Sequence, residues 1–173
     1  QVLWINMVTA VTLSMALAFE RAEQDVMARP PRRRDAPLLS GQLLWRIGWV
    51  GGLIVAATFV LFRWQLTRTP DDLALARTVA VNTLVACETL YLFSARRRLA
   101  PALSAAAWRG LGPTSVVVGL IIVLQALFTY WPPMQALFHT RALDPATWGP
   151  IALAALGVFV LAEFEKAVAR RWR

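Results

Sequence analysis

Residues 1–34, QVLWINMVTAVTLSMALAFERAEQDVMARPPRRR, pass from an apolar stretch with amide and hydroxyl side chains directly into a basic segment that contains prolines. The apolar part, 2–19, is long enough to cross a hydrocarbon core of about 30 Å as a helix. Asn6, Thr9 and Thr12 recur at three-residue spacing, which predicts a shared stripe on that helix. Because lipid cannot satisfy their hydrogen bonds, we expect the stripe to face other helices or a hydrated cavity.

The composition is typical of a polytopic membrane protein. Of the 173 residues, 58% are apolar and 16% charged, and the mean hydropathy is +0.53, which is too apolar for an ordinary soluble domain. The net charge of +8 does not indicate nucleic acid as a partner, because the basic residues form short runs between apolar blocks. A single cysteine, Cys87, and a single histidine, His139, give no support for a disulfide or a zinc site.

Four more apolar stretches have the length of a membrane span. With the first, they predict five transmembrane helices near 2–19, 43–63, 78–95, 113–131 and 148–166. Proline-containing segments separate them. The sequence therefore predicts an all-α polytopic membrane bundle that occupies 1–173 as one domain.

The distribution of basic residues predicts the orientation of the helices. Lysine and arginine concentrate in loops 20–42 and 96–112 and in the tail from Lys166, and they are sparse in the two remaining loops. Since cytoplasmic loops retain basic residues, the rich side is predicted to be cytoplasmic, with the N-terminus outside and the C-terminus inside.

Tryptophans lie near the predicted helix ends, where an indole buries its ring and keeps its N–H in water. These residues are Trp4, Trp45, Trp64, Trp131 and Trp148. We assign them a structural role only.

Glu88, in NTLVACETLYLF, is a carboxylate about halfway along the third predicted span. Its ionised form costs on the order of 3 kcal/mol there unless a cation, a partner or a proton offsets the charge. A cation or proton site is the first interpretation, and a neutral side chain hydrogen-bonded between helices is the alternative. Asn82 and Thr89 share one face close to Glu88, which predicts that the three line one cavity wall. Gln125 and Glu163 are predicted to form hydrogen bonds between helices.

Several short motifs carry a resemblance to one family. W-I-N-M-V-T at 4–9, L-A-F-E at 17–20 and D-V-M-x-R-P-P-R at 25–32 resemble the sixth transmembrane helix and following loop of P-type cation-transporting ATPases, nearest the calcium-pump and sodium/potassium-pump branch. L-V-A-C-E at 84–88 resembles the eighth helix, and A-L-D-x-x-x-W at 142–148 resembles the outer loop before the tenth. The resemblance covers helices six to ten in order. We expect the sequence to be part of a longer pump.

The resemblance implies that Asn6, Thr9 and Glu88 are ligands of a transported cation. The family's bridging aspartate is replaced by Ala10. With less negative charge and fewer hard oxygen ligands, tight binding of two divalent ions is not expected. A monovalent ion, a proton, a single divalent ion or another substrate remains open. The resemblance also implies that loop 20–42 couples the membrane site to the phosphorylation domain.

Other parts of such a pump have no counterpart in these residues. The phosphorylation motif D-K-T-G is absent, and no phosphate-binding G-x-x-x-x-G-K-[ST] loop replaces it. We therefore expect that this chain alone does not hydrolyse ATP and binds no cofactor, and that ATP and Mg²⁺ bind elsewhere in the pump. The expected partners are the lipid bilayer, the transported cation, and the preceding helices and cytoplasmic domains of the same protein.

Two alternatives belong to other functional classes. One is a self-contained five-helix scaffold or assembly module without catalytic activity. The other is a secondary transporter, which requires internal inverted repeats that the sequence does not show. Abundant arginine and alanine with little lysine indicate a GC-rich bacterial genome, and hence a bacterial inner-membrane location.

Overall fold

The computed structural model describes residues 1–18, 41–95 and 111–171. Its helices are α1 (Val2–Ala18), α2 (Gly41–Arg68), α3 (Leu73–Ala95), α4 (Leu111–Tyr130), α5 (Pro132–Phe138) and α6 (Pro145–Arg171). The described ranges contain no β-strand. A helix lies at each of the five predicted spans, and α5 is a short addition before the last. The prediction of an all-α membrane bundle is confirmed, whereas nearly all of the coupling loop 20–42 lies outside the described residues.

Two helices have the length and composition of complete membrane spans: Gly41–Arg68 and Leu73–Ala95. A third candidate is the pair Thr114–Tyr130 and Pro132–Phe138, which bends by 76° at its break. The segment Val2–Thr12 of α1 is apolar but shorter. The exact number of five spans therefore stays a prediction.

Helix α3 lies at the centre of the described bundle and contacts α1, α2, α4 and α6. On one side Val81 packs in an apolar cluster with Trp4 and Phe128, from α1 and α4. On the other side Val79 packs with Leu61, from α2, and with residues near and in α6. Because α3 is covered from several directions, several of its polar residues are buried against protein: Thr78, Asn82, Thr83 and Ser94.

Aspartates precede the first residues of α3 and α6, two helices that pack against each other. Asp72 precedes α3 and accepts a hydrogen bond from the Leu75 backbone N–H at 2.9 Å. Asp144 precedes α6 and accepts from the Ala146 N–H at 3.1 Å. Each carboxylate satisfies a first-turn N–H that has no partner within its helix. Both helices therefore begin at the end of the molecule that is predicted to lie outside.

Consecutive prolines at 132–133 end α4 and leave two of its carbonyls without helical donors, because proline has no N–H. Side chains from the chain beyond the break supply the missing donors. The Thr140 hydroxyl donates to the Phe128 carbonyl at 2.9 Å, and the Gln135 amide donates to the Thr129 carbonyl at 2.7 Å. Side chains from the segment after the break therefore stabilise the bend.

Replacing Thr140 by valine is expected to lower the stability of the purified protein in detergent by about 1–3 kcal/mol, because the buried Phe128 carbonyl loses its donor. Thr67→Val is the matched control, since the exposed Thr67 hydroxyl donates to the Trp64 carbonyl at 2.8 Å, where water can replace it. Thermal unfolding followed by circular dichroism measures both variants. If the two substitutions lowered stability equally, the hydrogen bond from Thr140 to the Phe128 carbonyl would have no special role in stabilising the bend.

Candidate functional site

The candidate site forms where Glu88 of α3 faces α1. The Thr9 side chain lies within interaction distance of the Glu88 carboxyl. One oxygen of that carboxyl, Oε2, is buried and has no hydrogen-bond partner among the described residues. An uncompensated buried acceptor is costly, so this oxygen marks a position where a proton, a water or a cation would be stabilising.

Thr9 is buried, with 6% of its surface exposed, and its hydroxyl donates to the Ile5 carbonyl at 2.8 Å. A hydroxyl has one proton, and here two acceptors lie within reach, the carbonyl and the Glu88 carboxyl. Both contacts are satisfied together only if the carboxyl donates a proton or if a cation lies between the two oxygens. The pair is therefore suited to bind a small positive species.

Asn6 does not join this pair. Its side chain is exposed on α1, as is Ala10, while Thr9 and Thr12 are buried. Thr9 and Thr12 therefore face other described helices as expected, whereas the environment expected for Asn6 stays a prediction. Each three-residue step turns an α-helix about 60° short of a full rotation, so the ends of the stripe lie about 120° apart. Asn6 lies on a face that none of the described helices covers, and its role as a cation ligand stays a prediction.

Asn82 also lies away from Glu88, in a separate buried polar cluster between α3 and α4. Its oxygen accepts from the Gln125 amide at 3.1 Å, and its amide donates to the Thr129 hydroxyl at 3.1 Å. Thr89 donates to the Val85 carbonyl of its own helix at 2.7 Å. Asn82 therefore does not line a common wall with Glu88, and the expected place of Thr89 beside Glu88 stays a prediction. The expectation that Gln125 hydrogen-bonds between helices is met.

Glu163 also hydrogen-bonds between helices, and it forms an ion pair that the sequence interpretation missed. Its Oε1 accepts from the Ser94 hydroxyl at 2.5 Å and lies 2.7 Å from Lys166 Nζ. Lys166 is only 3% exposed and also donates to the Ser94 carbonyl. In the sequence, Lys166 enters only the count of basic residues that predicts the cytoplasmic side. The three-residue spacing from Glu163 was the signal for its pairing, and the last turn of α3 favours a cation.

A glycine face on α2 is open in the described part of the chain. A Cβ atom added at Gly48, Gly51 or Gly52 would meet nothing within 4 Å. Gly48 and Gly52 form a G-x-x-x-G pattern, which permits the close approach of another helix, and no described residue covers that face.

The described residues contain no group of three or more histidine, cysteine, aspartate or glutamate side chains that could hold a metal ion. Within these ranges the candidate site therefore has one carboxylate and one hydroxyl. A complete coordination shell for a hard cation needs six or more oxygens. Any such shell must be completed by residues outside the described part of the chain or by water.

Comparisons with known proteins identify the family. A family model described as "Cation transporting ATPase, C-terminus" matches residues 1–168. The probable cation-transporting ATPase F of Mycobacterium tuberculosis is 38% identical over 175 residues, which cover 98% of this chain and 19% of that protein. A calcium-transporting ATPase of Bacillus subtilis is 34% identical over 94% of this chain and 18% of its own length.

A more distant relative is the endoplasmic reticulum calcium ATPase srcA of Aspergillus fumigatus, 26% identical over 99% of this chain and 21% of that protein. The chain thus spans about a fifth of the length of these relatives. The helices, the intramembrane carboxylate and the family match over 1–168 lead to one conclusion. The chain belongs to the P-type cation-transporting ATPases, as their C-terminal membrane domain.

Proposed function

We propose that this chain forms part of the intramembrane cation site of an ATP-driven pump, with Thr9 and Glu88 as adjoining ligands and Asn6 as a third ligand on the open face of α1. The observation that carries the proposal is the buried, unpartnered Glu88 oxygen beside the Thr9 hydroxyl. Such an arrangement is unfavourable when empty and becomes favourable when a positive species binds. Packing alone would be served better by an amide or an apolar side chain.

The charge of the site limits the cargo. One carboxylate neutralises one positive charge, and Ala10 supplies no oxygen ligand. A monovalent ion, a proton or a single divalent ion fits this donor set better than two divalent ions do. Since two of the relatives are named calcium pumps, Ca²⁺ is the first divalent ion to test.

The rest of the pump supplies what this chain lacks. We propose that ATP and Mg²⁺ bind to cytoplasmic domains outside this sequence, and that loop 20–42 transmits their movement to the helices. The predicted orientation places the N-terminus outside and the C-terminus in the cytoplasm of a bacterium, with the domain in its inner membrane. The distribution of basic residues supports this orientation.

Cation-stimulated ATP hydrolysis by the complete pump tests the ligand assignment. Ca²⁺, Mn²⁺, Na⁺ and K⁺ are compared, and proton transport is followed with a pH-sensitive dye in sealed vesicles. Thr9→Val is expected to weaken the apparent affinity for the stimulating ion by about fivefold, as for the loss of one neutral ligand worth about 1 kcal/mol. Thr9→Ser, which keeps the hydroxyl, is expected to restore most of it.

Thr67→Val is the matched control, because Thr67 is exposed near the end of α2 and its substitution should leave the affinity unchanged. An unchanged affinity in Thr9→Val would remove Thr9 from the site. If no cation stimulated hydrolysis or crossed the membrane with ATP present, the pump would be excluded and the scaffold alternative would be favoured.

A further inference from the structure

Two buried polar atoms without partners lie at the junction of α1, α3 and α4. They are the indole Nε1 of Trp4 and the amide Oε1 of Gln125. The two residues are 5% and 6% exposed. Trp4 was expected to keep its N–H in water near a helix end, and in the structure that N–H is buried. One atom can only donate a hydrogen bond and the other can only accept one.

Packing places both residues around the same junction. The Trp4 ring stacks on the ring of Phe128 at 5.4 Å, and Gln125 precedes Phe128 by about one turn of α4. Across the junction, Val81 packs in the cluster that contains Trp4, and its neighbour Asn82 accepts from Gln125. The three helices thus bring a free donor and a free acceptor to one interior region.

The hydrogen-bond network determines which end of the Gln125 amide is free. Asn82 must direct its nitrogen toward the Thr78 carbonyl, which can only accept, and that bond measures 2.9 Å. The Asn82 oxygen then faces Gln125 and requires a donor, which is the Gln125 nitrogen at 3.1 Å. The unpartnered Gln125 atom is therefore its oxygen, and a reversed amide would place two donors or two acceptors together.

One free atom is a hydrogen-bond donor and the other is an acceptor, and this restricts the ligands that can bind to both. A cation would be repelled by the indole N–H, and an anion would be repelled by the amide oxygen. The side chains that carry the free atoms are neutral. A small molecule that both donates and accepts satisfies both atoms, and water is such a molecule.

We propose that a bound water molecule lies at the junction of α1, α3 and α4, accepting from Trp4 Nε1 and donating to Gln125 Oε1. It joins α1 to the Asn82 cluster by hydrogen bonds in addition to apolar packing. Helix α1 also carries Thr9, but the water site does not depend on cation transport.

A structure of the complete pump in lipid nanodiscs, at a resolution that shows ordered water, tests the site directly. We expect a density peak within hydrogen-bonding distance of both atoms, and we expect it to weaken or vanish in Trp4→Phe, which removes the N–H. The absence of a peak in the unmodified protein, or a direct bond between Trp4 and Gln125, would overturn the proposal.

A double-substitution cycle gives a second readout from thermal unfolding of the pump. If the water links the two side chains, Trp4→Phe combined with Gln125→Leu should lower the melting temperature by less than the sum of the single effects. The control pairs Trp4→Phe with Gln65→Leu, since Gln65 is equally buried but hydrogen-bonds locally to Thr69, the residue that follows α2. Additive effects in both pairs would contradict a shared water.

Discussion

Glu88→Gln is expected to weaken the apparent cation affinity of the complete pump by about tenfold to a hundredfold, equivalent to about 1.4–2.8 kcal/mol. The substitution keeps the size of the side chain and removes its negative charge. Glu88 Oε2 is buried without a hydrogen-bond partner, so a cation bound there would meet no competition from another described residue. The measurement is ATP hydrolysis as a function of cation concentration, with the maximal rate recorded separately from the half-saturating concentration.

The same substitution distinguishes the two interpretations of Glu88. If the Glu88 side chain is neutral and only forms a hydrogen bond between helices, glutamine can form the same hydrogen bond, and the cation affinity stays unchanged. Glu165→Gln is the matched control, because Glu165 lies near the predicted inner end of α6 rather than between α1 and α3. We expect the control to keep the affinity of the unmodified pump. A loss of affinity in both variants would indicate a general effect of charge, not a ligand.

Lys166→Met is expected to lower the stability of the protein by about 3 kcal/mol, the typical cost of breaking a buried ion pair. Lys166 is 3% exposed, lies 2.7 Å from Glu163 and donates to the Ser94 carbonyl at the end of α3. Methionine keeps the apolar length of the side chain but cannot satisfy either oxygen. Thermal unfolding of the purified pump in detergent measures the loss as a lower melting temperature.

Arg63→Met is the control for removing a basic side chain, because Arg63 is exposed on α2. Its effect is expected to be within a few tenths of 1 kcal/mol, as for other surface charges. Replacing both Lys166 and Glu163 with apolar residues should cost less than Lys166→Met alone, since no carboxylate is then left without its lysine. If Lys166→Met were no more destabilising than Arg63→Met, the ion pair between Lys166 and Glu163 would make no measurable contribution to stability.

The helices were predictable because hydropathy and length are strong signals over about 20 residues. The break at Pro132 was visible in the sequence, but its geometry was not. Proline shows that the helix must end, whereas the 76° bend depends on which side chains reach the freed carbonyls. Those contacts come from Gln135 and Thr140, whose spacing has no general pattern.

The candidate site was only partly predictable, because its geometry also depends on contacts between helices. Glu88 and Thr9 lie close together on neighbouring helices, and their role as cation ligands stays a prediction. Asn6 was grouped with Thr9 by sequence spacing, but spacing on one helix does not show which neighbour is present to cover each face. The buried pairing of Lys166 with Glu163 was missed because a count of basic residues contains no information about tertiary pairing.

The central position of α3 gives the two proposed ligands different surroundings. Glu88 is carried by a helix that is held by four described neighbours, whereas Thr9 is carried by α1, which has an open face. In the proposed pump, helices outside this sequence would pack on that open face. Their movement would then reach Thr9 first, while Glu88 stays held by the described bundle.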